Sequence, residues 1–512
     1  MASATESVHQ PRVKRPEEKL KVVVIGAGLG GLAAAMAMYY AGYEVVVYEK
    51  IKKFLPLGDS LGVGENALRL LTRWGVRDKL IAIGNKSPVM HIRRWDTGEI
   101  IATQRLMDMA GYIGHRAQYH ASFLSRVEEL GIPVHMGTAV ATFDEYVPSV
   151  TLETGEVVNC DLVIGADGIK SRTRELVLGF EDKPKSSGYA CYRAYTEGDR
   201  IRDHPDAGVL VNRDASTQMN IWIGKDLHIV QNTCRNGGDF NWIITHKDDE
   251  DIAESWSQPG KVEDAVALVE QWDPTIVEAM RLTPSCLDWK IVYREPLPTW
   301  ISKSGKVVLL GDSAHPHLPT SAQGASQAVE DAATLAICLE LAGRDNIRLA
   351  TLTYERLRYA RVLKTQKTGE DTRRRWHNAL RDLDAGREVD PESVKMQNEW
   401  IYALDAEADT RARFAAVSAQ IKAELAANND VPILPMSLLG DDKFDVPSIS
   451  DERRREVAQM AKDMFDSWES SGAQVYKGKK RIRREEAGAG LGSATVAAPI
   501  EPAGVAIAAV GA

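Results

Sequence analysis

The sequence predicts an α/β protein in which a parallel-sheet domain carries an inserted, mostly antiparallel β domain and is followed by a C-terminal helical region. Three patterns lead to this prediction. Residues 21–50 run from a β-branched strand through a glycine turn and an alanine-rich helix into a second strand. Short strands separated by turn residues fill 189–293. From Arg348 onward the pattern is helical and heavily charged.

The first domain is predicted to be discontinuous in sequence. KVVLLGDSAH, at 306–315, returns to the pattern of a buried strand, and an amphipathic helix follows over 325–343. The parallel sheet is therefore expected to be completed after the β domain. The predicted segments are a disordered arm (1–19), the first domain (20–188 and 302–345), the β domain (189–301), the helical region (346–478) and a disordered tail (479–512).

Two local patterns add detail to these segments. VTLETGEVV, at 150–158, has a turn-like ETGE centre and predicts a β-hairpin. YERLRYARVLKTQ, at 354–366, is rich in charged residues at helical spacing. We interpret such charged helices as solvated helices on the outside of the protein.

The composition is that of an ordinary globular protein, and it excludes several functions. Of 512 residues, 44% are hydrophobic, which is enough for a normal core. Lysine and arginine number 63 against 72 aspartate and glutamate, a net charge of −9 that argues against nucleic acid as a partner. Neither a signal peptide nor a membrane span is predicted, because no apolar run is long enough.

The cysteines predict an intracellular, cytoplasmic protein. They are odd in number and widely spaced, with no CxxC pair and no ligand spacing to a histidine. We therefore expect reduced thiols that serve as packing residues. The five are Cys160, Cys191, Cys234, Cys286 and Cys338.

The turn GAGLGG lies between a strand and a helix, which is the context of a dinucleotide-binding motif. Gly26 permits the tight turn. Gly28, followed by Leu29, lets the backbone approach a pyrophosphate, and Gly31 allows the helix to pack closely on the strand. Glu49, eighteen residues beyond Gly31, can accept hydrogen bonds from ribose hydroxyls. The motif predicts a Rossmann-like domain that binds either FAD or NAD.

Three motifs follow one another in a characteristic order. The first is GAGLGG (26–31) with YEK ending at Lys50, the second is DLVIGADGIKSRTR (161–174), and the third is GDSAHPHLPTSAQGASQAVEDAATLA (311–336). Together they resemble the class A FAD-dependent aromatic hydroxylases, especially the salicylate-hydroxylase-like branch. The resemblance spans about residues 20 to 377. It implies that FAD is the cofactor and that Lys50 belongs to its site.

The resemblance assigns further cofactor contacts around the third motif. Asp312 ends a buried strand at the carboxyl edge of the sheet, where α/β proteins bind ligands, and is assigned to the flavin ribityl chain. Arg116 is assigned to the pyrophosphate and the ribityl chain. The helix start at Gly324 and Ala325 is assigned to the flavin N1 and C2 carbonyl, where its positive pole stabilises negative charge. We expect one cleft to join this helix to the opening glycine turn.

Asp167 and Arg172 are the candidate cofactor residues of the second motif. Asp167 follows a buried strand in the same way as Asp312 does. Arg172 has the planar guanidinium that suits phosphate, so it could serve the dinucleotides. The alternative is that Arg172 forms a surface ion pair that holds a loop.

No metal site is predicted, because His315 and His317 lack an identifiable third ligand. No second GxGxxG motif follows a strand, so a nicotinamide nucleotide has no nucleotide-binding fold of its own. The resemblance implies that NADPH or NADH binds transiently, reduces FAD and leaves. The expected partners are therefore NAD(P)H, O2 and a small aromatic substrate.

The resemblance implies that a C4a-hydroperoxyflavin hydroxylates a phenolic or aromatic carboxylic acid substrate. Arg193 and Tyr195 alternate to one face of a strand, since side chains repeat every second residue. Arg193 could pair with a substrate carboxylate, and Tyr195 could share a phenol proton. His228 is a candidate proton acceptor. The region of Pro319 is expected to border the substrate.

Two alternatives stay open. An FAD-dependent epoxidase or ring-modifying monooxygenase of secondary metabolism would have the same fold, and product analysis would separate it from a hydroxylase. A non-catalytic dinucleotide-binding escort protein would use the glycine turn for a nucleotide alone. Such a protein would be colourless, without flavin absorbance.

Overall fold

The computed structural model of the chain describes nine ranges, which are residues 7–55, 60–87, 89–105, 111–211, 218–248, 258–385, 387, 389–395 and 399–428. The predicted disordered tail (479–512) and the end of the predicted helical region (429–478) lie outside the described residues.

The strands of the described ranges form four sheets. In chain order they are β1 (Lys21–Ile25), β2 (Glu44–Glu49), β3 (Ser60–Val63), β4 (Val89–Arg94), β5 (Ile100–Arg105), β6 (Tyr112–His115), β7 (Val134–Met136), β8 (Val140–Asp144), β9 (Ser149–Leu152), β10 (Val157–Asn159), β11 (Leu162–Gly165), β12 (Lys185–Glu197), β13 (Gln218–Gly224), β14 (Leu227–Cys234), β15 (Asp239–Lys247), β16 (Gln258–Gly260), β17 (Cys286–Tyr293) and β18 (Val307–Leu309).

Helices connect and cover these sheets. In chain order they are α1 (Leu29–Tyr40), α2 (Glu65–Arg73), α3 (Arg77–Ile83), α4 (Arg116–Glu129), α5 (Arg172–Leu178), α6 (Asp199–Arg202), α7 (Val262–Ala267), α8 (Pro274–Arg281), α9 (Gly324–Ala342), α10 (Ile347–Asp384), α11 (Pro391–Val394), α12 (Glu399–Tyr402) and α13 (Ala406–Asn428).

The parallel sheet has the strand order β18-β11-β1-β2-β7, and every pairing is parallel. Its last strand comes from 307–309, as the late return of the buried-strand pattern predicts. The β-branched residues of β1 alternate between two covered faces. Val22 and Val24 pack in one core with α1 and α9, and Val23 packs in another with β9. Cover on both faces explains the continuous apolar run of β1.

The alanine-rich helix α1 packs closely on α9. A Cβ atom added to Gly30 would lie 3.3 Å from the Cβ of Ala328. Ala33 and Ala34 are fully buried. Because these side chains are small, the two helices approach each other directly behind the sheet edge that carries the motifs.

The eight-stranded sheet has the order β16-β17-β12-β15-β14-β13-β4-β5 and is antiparallel except where β13 pairs with β4. Its antiparallel centre agrees with the prediction, but its bounds do not. β12 begins at Lys185, and β4 and β5 come from 89–105, well before the predicted start at residue 189. Residues 218–223 pair with 89–94 across a long stretch of chain, and local periodicity carries no information about such a pairing.

Two small sheets complete the fold. β8, β9 and β10 form an antiparallel sheet, and its β9–β10 pair is the hairpin predicted at 150–158. β3 and β6 pair antiparallel beside the eight-stranded sheet. Ser60 of β3 contacts that sheet, since its hydroxyl lies 3.1 Å from Oδ1 of Asn232.

The first half of α10 is buried, so the interpretation of 354–366 as a solvated outer helix is wrong. Glu355, Arg358 and Arg361 are at most 3% exposed. Arg358 and Arg361 form ion pairs with carboxylates of α9. A charged helix has the same sequence pattern whether its side chains are solvated or form buried ion pairs. Only the tertiary contacts distinguish the two cases.

The N-terminal arm, predicted to be disordered over 1–19, is ordered in its described part. The backbone N–H of His9 donates to the carbonyl of Arg73 at 2.7 Å, and that of Arg12 donates to the carbonyl of Tyr40 at 3.0 Å. The arm thus lies along the parallel-sheet domain. The polar composition of the arm does not predict these contacts, because they are made by backbone groups.

All five cysteines are buried and none forms a disulfide. In the described part of the chain, no helix combines the length and the apolar character needed to cross a membrane.

Candidate active site

A cleft of about 460 Å³ lies between the parallel-sheet domain and the eight-stranded sheet. It joins the glycine turn to the start of α9, as expected from the sequence. One wall consists of Gly28, Leu29, Arg116, Asp312, Pro319, Gly324 and Ala325. The opposite wall includes Arg193, Met219, Ile221, His228, Val230, Ile243 and Trp289.

The glycines of the first motif have different tasks. Gly26 has φ of +100°, and a Cβ there would lie 2.5 Å from the carbonyl oxygen of Ala166. A Cβ on Gly31 would lie 1.9 Å from the carbonyl oxygen of Gly26. Gly28, at the N-terminus of α1, has no atom within 4 Å of its Cβ position and opens onto the cleft. Gly26 and Gly31 therefore allow the tight turn, and Gly28 leaves room for a ligand.

Glu49 holds this turn in place. Its buried carboxylate accepts hydrogen bonds from the N–H groups of Ala27 and Ile51, each at 2.8 Å. His120 bonds the carbonyl of Ala27 at 2.7 Å from the other side. Lys50, predicted as a cofactor contact, is exposed and does not belong to the cleft wall.

In the second motif, Ala166 and Gly168 line the cleft, whereas the charged side chains position the loops. The Asp167 carboxylate accepts from the Ser171 hydroxyl at 2.6 Å and from the N–H groups of Arg172 and Thr173 at 2.9 and 3.1 Å. It thereby caps α5. The Arg172 side chain is exposed outside the cleft wall, so the structure does not place the guanidinium on a ligand.

Arg174 is a residue that sequence reasoning missed. It is 1% exposed and donates to the backbone carbonyls of Ser313 at 2.8 Å and Asp312 at 2.6 Å. The second motif therefore holds the loop of the third. Burial lowers the pKa of Arg174 to about 10. The sequence does indicate that Arg172 and Arg174 differ in environment. They are two residues apart, and on a helix that spacing places their side chains on opposite faces.

Asp312 lies on the cleft wall in a tight turn, Gly311–Ser313, directly after β18. Burial raises the pKa of its carboxyl, while the charges of His315, Arg116 and Arg174 oppose that rise. Arg116, the first residue of α4, also lines the cleft. The structure thus brings these two predicted cofactor residues together.

The start of α9 meets Asp312 at this point. A Cβ on Gly324 would lie 3.9 Å from Oδ1 of Asp312. Gly324 and Ala325 line the cleft, as does Pro319 at the start of a short 3-10 turn. The unpaired N–H groups of this helix end therefore face the cleft with their partial positive charge.

Arg193 is placed as predicted, on the cleft wall formed by β12. It is 7% exposed, and its guanidinium lies 4.6 Å from the centre of the Trp289 ring. Ile243, the register partner of Arg193 on β15, and Met219 and Ile221 of β13 contribute apolar surface to the same wall. A buried cation in such a wall attracts an anionic group of a ligand strongly, because little water screens it.

Tyr195 does not serve as predicted. Its hydroxyl donates to the Asp239 carboxylate at 2.7 Å, and the His115 ring packs edge-on against it at 4.4 Å. Burial, more than the adjacent Cys234 and Asp239, raises its pKa. The alternation of side chains along β12 correctly places Tyr195 on the same face as Arg193. The sequence did not predict the β3–β6 pair, however, and His115 of that pair covers Tyr195.

His228 lines the cleft and is 1% exposed. Burial, with smaller contributions from the nearby His377 and Arg373, lowers its pKa to about 3. Its Nδ1 has no hydrogen-bond partner among the described residues. The buried imidazole is therefore suited to a hydrogen bond with a ligand, and its role as a proton acceptor stays a prediction.

The C-terminal region supplies cleft residues that the sequence did not reveal. Trp376 of α10, and Glu399 and Tyr402 of α12, line the cleft. Tyr402 packs against Gly64, where a Cβ would lie 2.7 Å from its ring. Trp376 belongs to RRRWH, at 373–377, the last segment of the stretch that resembles the family, and no role was assigned to it. For α12, no sequence signal was available.

The two histidines of the third motif bond to protein groups. His315 Nε2 lies 2.6 Å from Oδ2 of Asp331, and His317 contacts the His315 carbonyl and the Thr365 hydroxyl, each at 2.9 Å. Within the described ranges, no group of three or more histidine, cysteine, aspartate or glutamate side chains could hold a metal ion.

The cleft fits FAD on the chemistry of its wall. The open space above Gly28 suits a pyrophosphate at the start of α1, and Asp312 suits the hydroxyls of a ribityl chain. The distant helix end of α9 suits the electron-rich edge of a flavin. A mononucleotide would leave one of these regions without a partner.

Comparison with known proteins identifies the family. The family described as "FAD binding domain" matches residues 19–367. The 6-hydroxynicotinate 3-monooxygenase of Pseudomonas fluorescens is 34% identical over 374 residues, which are 69% of this chain and 90% of that enzyme. The FAD-dependent monooxygenase nanF of Aspergillus nanangensis is 32% identical over 421 residues, covering 79% of this chain and 91% of that protein.

Solved structures agree with this result. CtdE in complex with FAD and a substrate is 30% identical, with a TM-score of 0.72, and covers 79% of this chain and 100% of its own. A salicylate hydroxylase substrate complex, 21% identical with a TM-score of 0.66, shares the fold over 77% of this chain and 98% of the other.

These relatives are enzymes, so the alternative of a non-catalytic escort protein is wrong. The reductant and oxidant that the family implies are NAD(P)H and O2, with an organic substrate. The chain belongs to the FAD-binding-domain family and is an FAD-dependent monooxygenase resembling the class A aromatic hydroxylases.

Proposed function

We propose that this monooxygenase hydroxylates a small aromatic substrate that carries a carboxylate or a phenolic hydroxyl. The observation that carries the proposal is the buried guanidinium of Arg193 within an apolar wall, on the side of the cleft opposite Asp312 and α9. A relative named for 6-hydroxynicotinate, an aromatic acid with a hydroxyl group, supports this substrate class.

Each wall of the cleft has its own task in the proposal. Gly28, Arg116 and Asp312 hold FAD, Glu49 fixes the turn that carries Gly28, and the start of α9 faces the flavin ring. Arg193 forms an ion pair with the substrate carboxylate. Apolar side chains hold the ring between the strands and the flavin, with Met219, Ile221, Val230 and Ile243 on the strand side.

The overall reaction takes two electrons from NAD(P)H. One oxygen atom of O2 enters the ring and the other leaves as water, so the atoms and electrons balance. Bound FAD supplies the activation of oxygen. The chain supplies orientation and keeps water out of the cleft, because an activated oxygen species decays where water enters. Neutral His228 accepts or donates a hydrogen bond at its buried Nδ1 and orients the substrate.

A ring-modifying monooxygenase or epoxidase acting on a larger aromatic metabolite is the second candidate. Trp289 and Trp376 both line the cleft, and the cleft extends to Tyr402 of α12. Such broad aromatic surface favours stacking on an extended ring system. The two candidates share every cofactor residue and differ only in the substrate.

The test is a screen of purified, flavin-loaded protein. Aromatic acids, phenols and fused-ring aromatics are each assayed for stimulation of NAD(P)H oxidation, and chromatography separates hydroxylated product from hydrogen peroxide. The proposal predicts hydroxylated product with a small aromatic acid or phenol. Product from fused-ring compounds alone would establish the second candidate, and NAD(P)H oxidation that yields only peroxide with all small aromatics would contradict the first.

A further inference from the structure

Gln323 has a position that neither the motifs nor the proposed substrate contacts explain. It immediately precedes Gly324, the first residue of α9, and lines the cleft. Its side chain is buried, with the residue 1% exposed. The amide nitrogen Nε2 has no hydrogen-bond acceptor among the described residues. Buried amide groups in folded proteins usually have partners, so this one calls for an explanation.

The orientation of the Gln323 amide follows from a charged group behind it. Glu330 of α9 is fully buried and paired with Arg358 and Arg361, which keep its pKa low against the effect of burial. Its ionised carboxylate can only accept hydrogen bonds. Asn66 Nδ2 donates to it at 2.5 Å, and Gln327 Nε2 donates at 3.3 Å. Both amides must therefore turn their NH2 groups toward Glu330.

The same two NH2 groups also reach Gln323. Its Oε1 accepts from Gln327 Nε2 at 3.1 Å and from Asn66 Nδ2 at 3.3 Å. An amide NH2 has two hydrogens, so each donor can serve both acceptors. Gln323 has to present its oxygen to these donors. Its own NH2 group is consequently directed away from them, and a flipped amide would place donor against donor.

The hydroxyl of Tyr402 lies beside this amide. Burial raises the pKa of Tyr402 to about 12, and the nearby Gln323 side chain opposes that rise, although no hydrogen bond of normal geometry joins the two groups. Tyr402 and Gln323 both line the cleft at the start of α9. Gln323 and Tyr402 therefore border the part of the cleft that a ligand approaching this helix end enters.

We propose that Gln323 is a flavin-binding donor whose NH2 group, aligned by Glu330 through Asn66 and Gln327, bonds the carbonyl-bearing edge of the isoalloxazine ring. That edge gains negative charge when the flavin is reduced, and hydrogen bonds to charged acceptors are stronger than those to neutral ones. Gln323 thus favours the reduced form. The inference rests on FAD binding and is independent of which substrate is hydroxylated.

The test compares Gln323→Met and Gln323→Glu with the wild-type holoenzyme. Gln323→Met removes the donor at similar volume and is expected to weaken flavin binding about three- to tenfold. It is also expected to lower the midpoint potential of the bound flavin. Gln323→Glu keeps an oxygen toward Asn66 and Gln327 but replaces the donor with a second oxygen. We expect a lower potential still, in the order wild type, Gln323→Met, Gln323→Glu.

Gln231→Met is the matched control. Gln231 is also a fully buried glutamine whose Oε1 accepts from an asparagine, Asn220, at 2.7 Å and whose Nε2 lacks a partner among the described residues. It lies on β14 outside the cleft wall. Its replacement should leave the flavin potential unchanged. Circular dichroism and thermal unfolding of each variant without flavin monitor folding.

Two results would overturn the inference. One is a flavin affinity and potential in both Gln323 variants equal to those of Gln231→Met. The other is a rise in the KM for an accepted aromatic substrate with unchanged flavin affinity and potential, which would assign the amide to the substrate. Because both readouts on flavin need no turnover, a wrong substrate proposal would leave them unaffected.

Discussion

At the residue scale, the buried polar side chains divide into those that shape the cleft and those that face it. Glu49 and Arg174 bond the backbone of turns, so their charges set the shape of the loops. Arg193, Asp312 and Gln323 lie on the cleft wall itself. Replacing a residue of the first kind is expected to disturb folding, whereas replacing one of the second kind should change binding.

Arg193→Ala is expected to weaken substrate binding and to spare the flavin. The loss of a charge-assisted pair in a poorly solvated wall should raise the KM for an aromatic acid about 10- to 100-fold. Steady-state kinetics give the KM, and the absorbance ratio of flavin to protein gives retention. Arg193→Lys, which keeps the charge but not the planar fork, should fall in between. Loss of flavin from Arg193→Ala would refute the assignment.

Asp312→Ala is expected to weaken flavin retention about tenfold, because the carboxylate is the acceptor proposed for the ribityl hydroxyls. Flavin released on gel filtration, together with the dissociation constant by fluorescence, measures the effect. Asp312→Asn, which keeps an acceptor oxygen, serves as the control and should lose less. Equal retention in Asp312→Ala and the wild type would show that the ribityl chain has other partners.

At the element scale, the contact between α9 and α10 supports the cleft from behind. Arg358 of α10 pairs with Glu330 and with Asp331 of α9, and the bond to Oδ1 of Asp331 is 2.7 Å long. Oδ2 of Asp331 accepts from the N–H of Gly311 at 3.0 Å. Helix α10 therefore stabilises the loop that carries Asp312 through Asp331.

Arg358→Met should lower the free energy of unfolding by about 3 to 5 kcal/mol, because two buried carboxylates lose a partner. Arg356→Met is the matched control on the same helix. Arg356 pairs with Glu424 at 2.8 Å, and both side chains are partly exposed, so its loss should cost about 0.2 to 1 kcal/mol. Urea unfolding of both variants makes the comparison, and similar losses would contradict a stabilising buried cluster.

Glu355 makes the stability of α10 depend on pH. It is 2% exposed, and burial raises its pKa from 4.5 to about 7. The folded state prefers the protonated carboxyl, so the stability it contributes is present in full below pH 4.5 and is lost as the pH rises through about 7. The loss amounts to roughly 3 kcal/mol at pH 8.

Glu355→Gln is expected to remove this pH dependence. Glutamine stays neutral and can still accept from the N–H of Trp300, which lies 2.5 Å from the Glu355 carboxylate. Urea unfolding at pH 5 and pH 8 measures the effect. The variant should be more stable than the wild type at pH 8 and close to it at pH 5, and parallel pH profiles for the two proteins would rule out Glu355 as the source.

At the scale of the whole molecule, two sheets and the C-terminal helices enclose one cleft. The parallel sheet brings the glycine turn and Asp312 to the same edge, because both follow the carboxyl ends of its strands. The eight-stranded sheet supplies the opposite wall, and α12 adds Tyr402. Enclosure of this kind keeps water away from the reaction.

Tyr402→Ala is expected to open the cleft at α12 and to uncouple the reaction. With water admitted, a smaller share of the NAD(P)H consumed should yield hydroxylated product, and more hydrogen peroxide should be released. The ratio of product to NAD(P)H measures this coupling. Tyr146→Ala, at a side chain that is 69% exposed, is the control. Unchanged coupling in Tyr402→Ala would show that α12 does not seal the site.

Much of the fold, and the identity of the cofactor, could be predicted from short segments of the sequence. The strand–turn–helix at 21–50, the late strand before Asp312 and the helix ending at Gly343 each carry their signal within about 30 residues. Such segments specify their own structure because backbone geometry and periodicity act over short range. The family and the cofactor followed from three such segments, which also contain the cleft residues Gly28 and Asp312.

The sequence alone determined the α/β class, the FAD motif and the monooxygenase family, since these rest on local turns and their order. Only the tertiary structure decided that β4 and β5 join the second sheet, that His115 covers Tyr195 and that Glu330 aligns Gln323. Each of these depends on residues far apart in the chain. Their energies come from burial and pairing, which arise when distant elements meet.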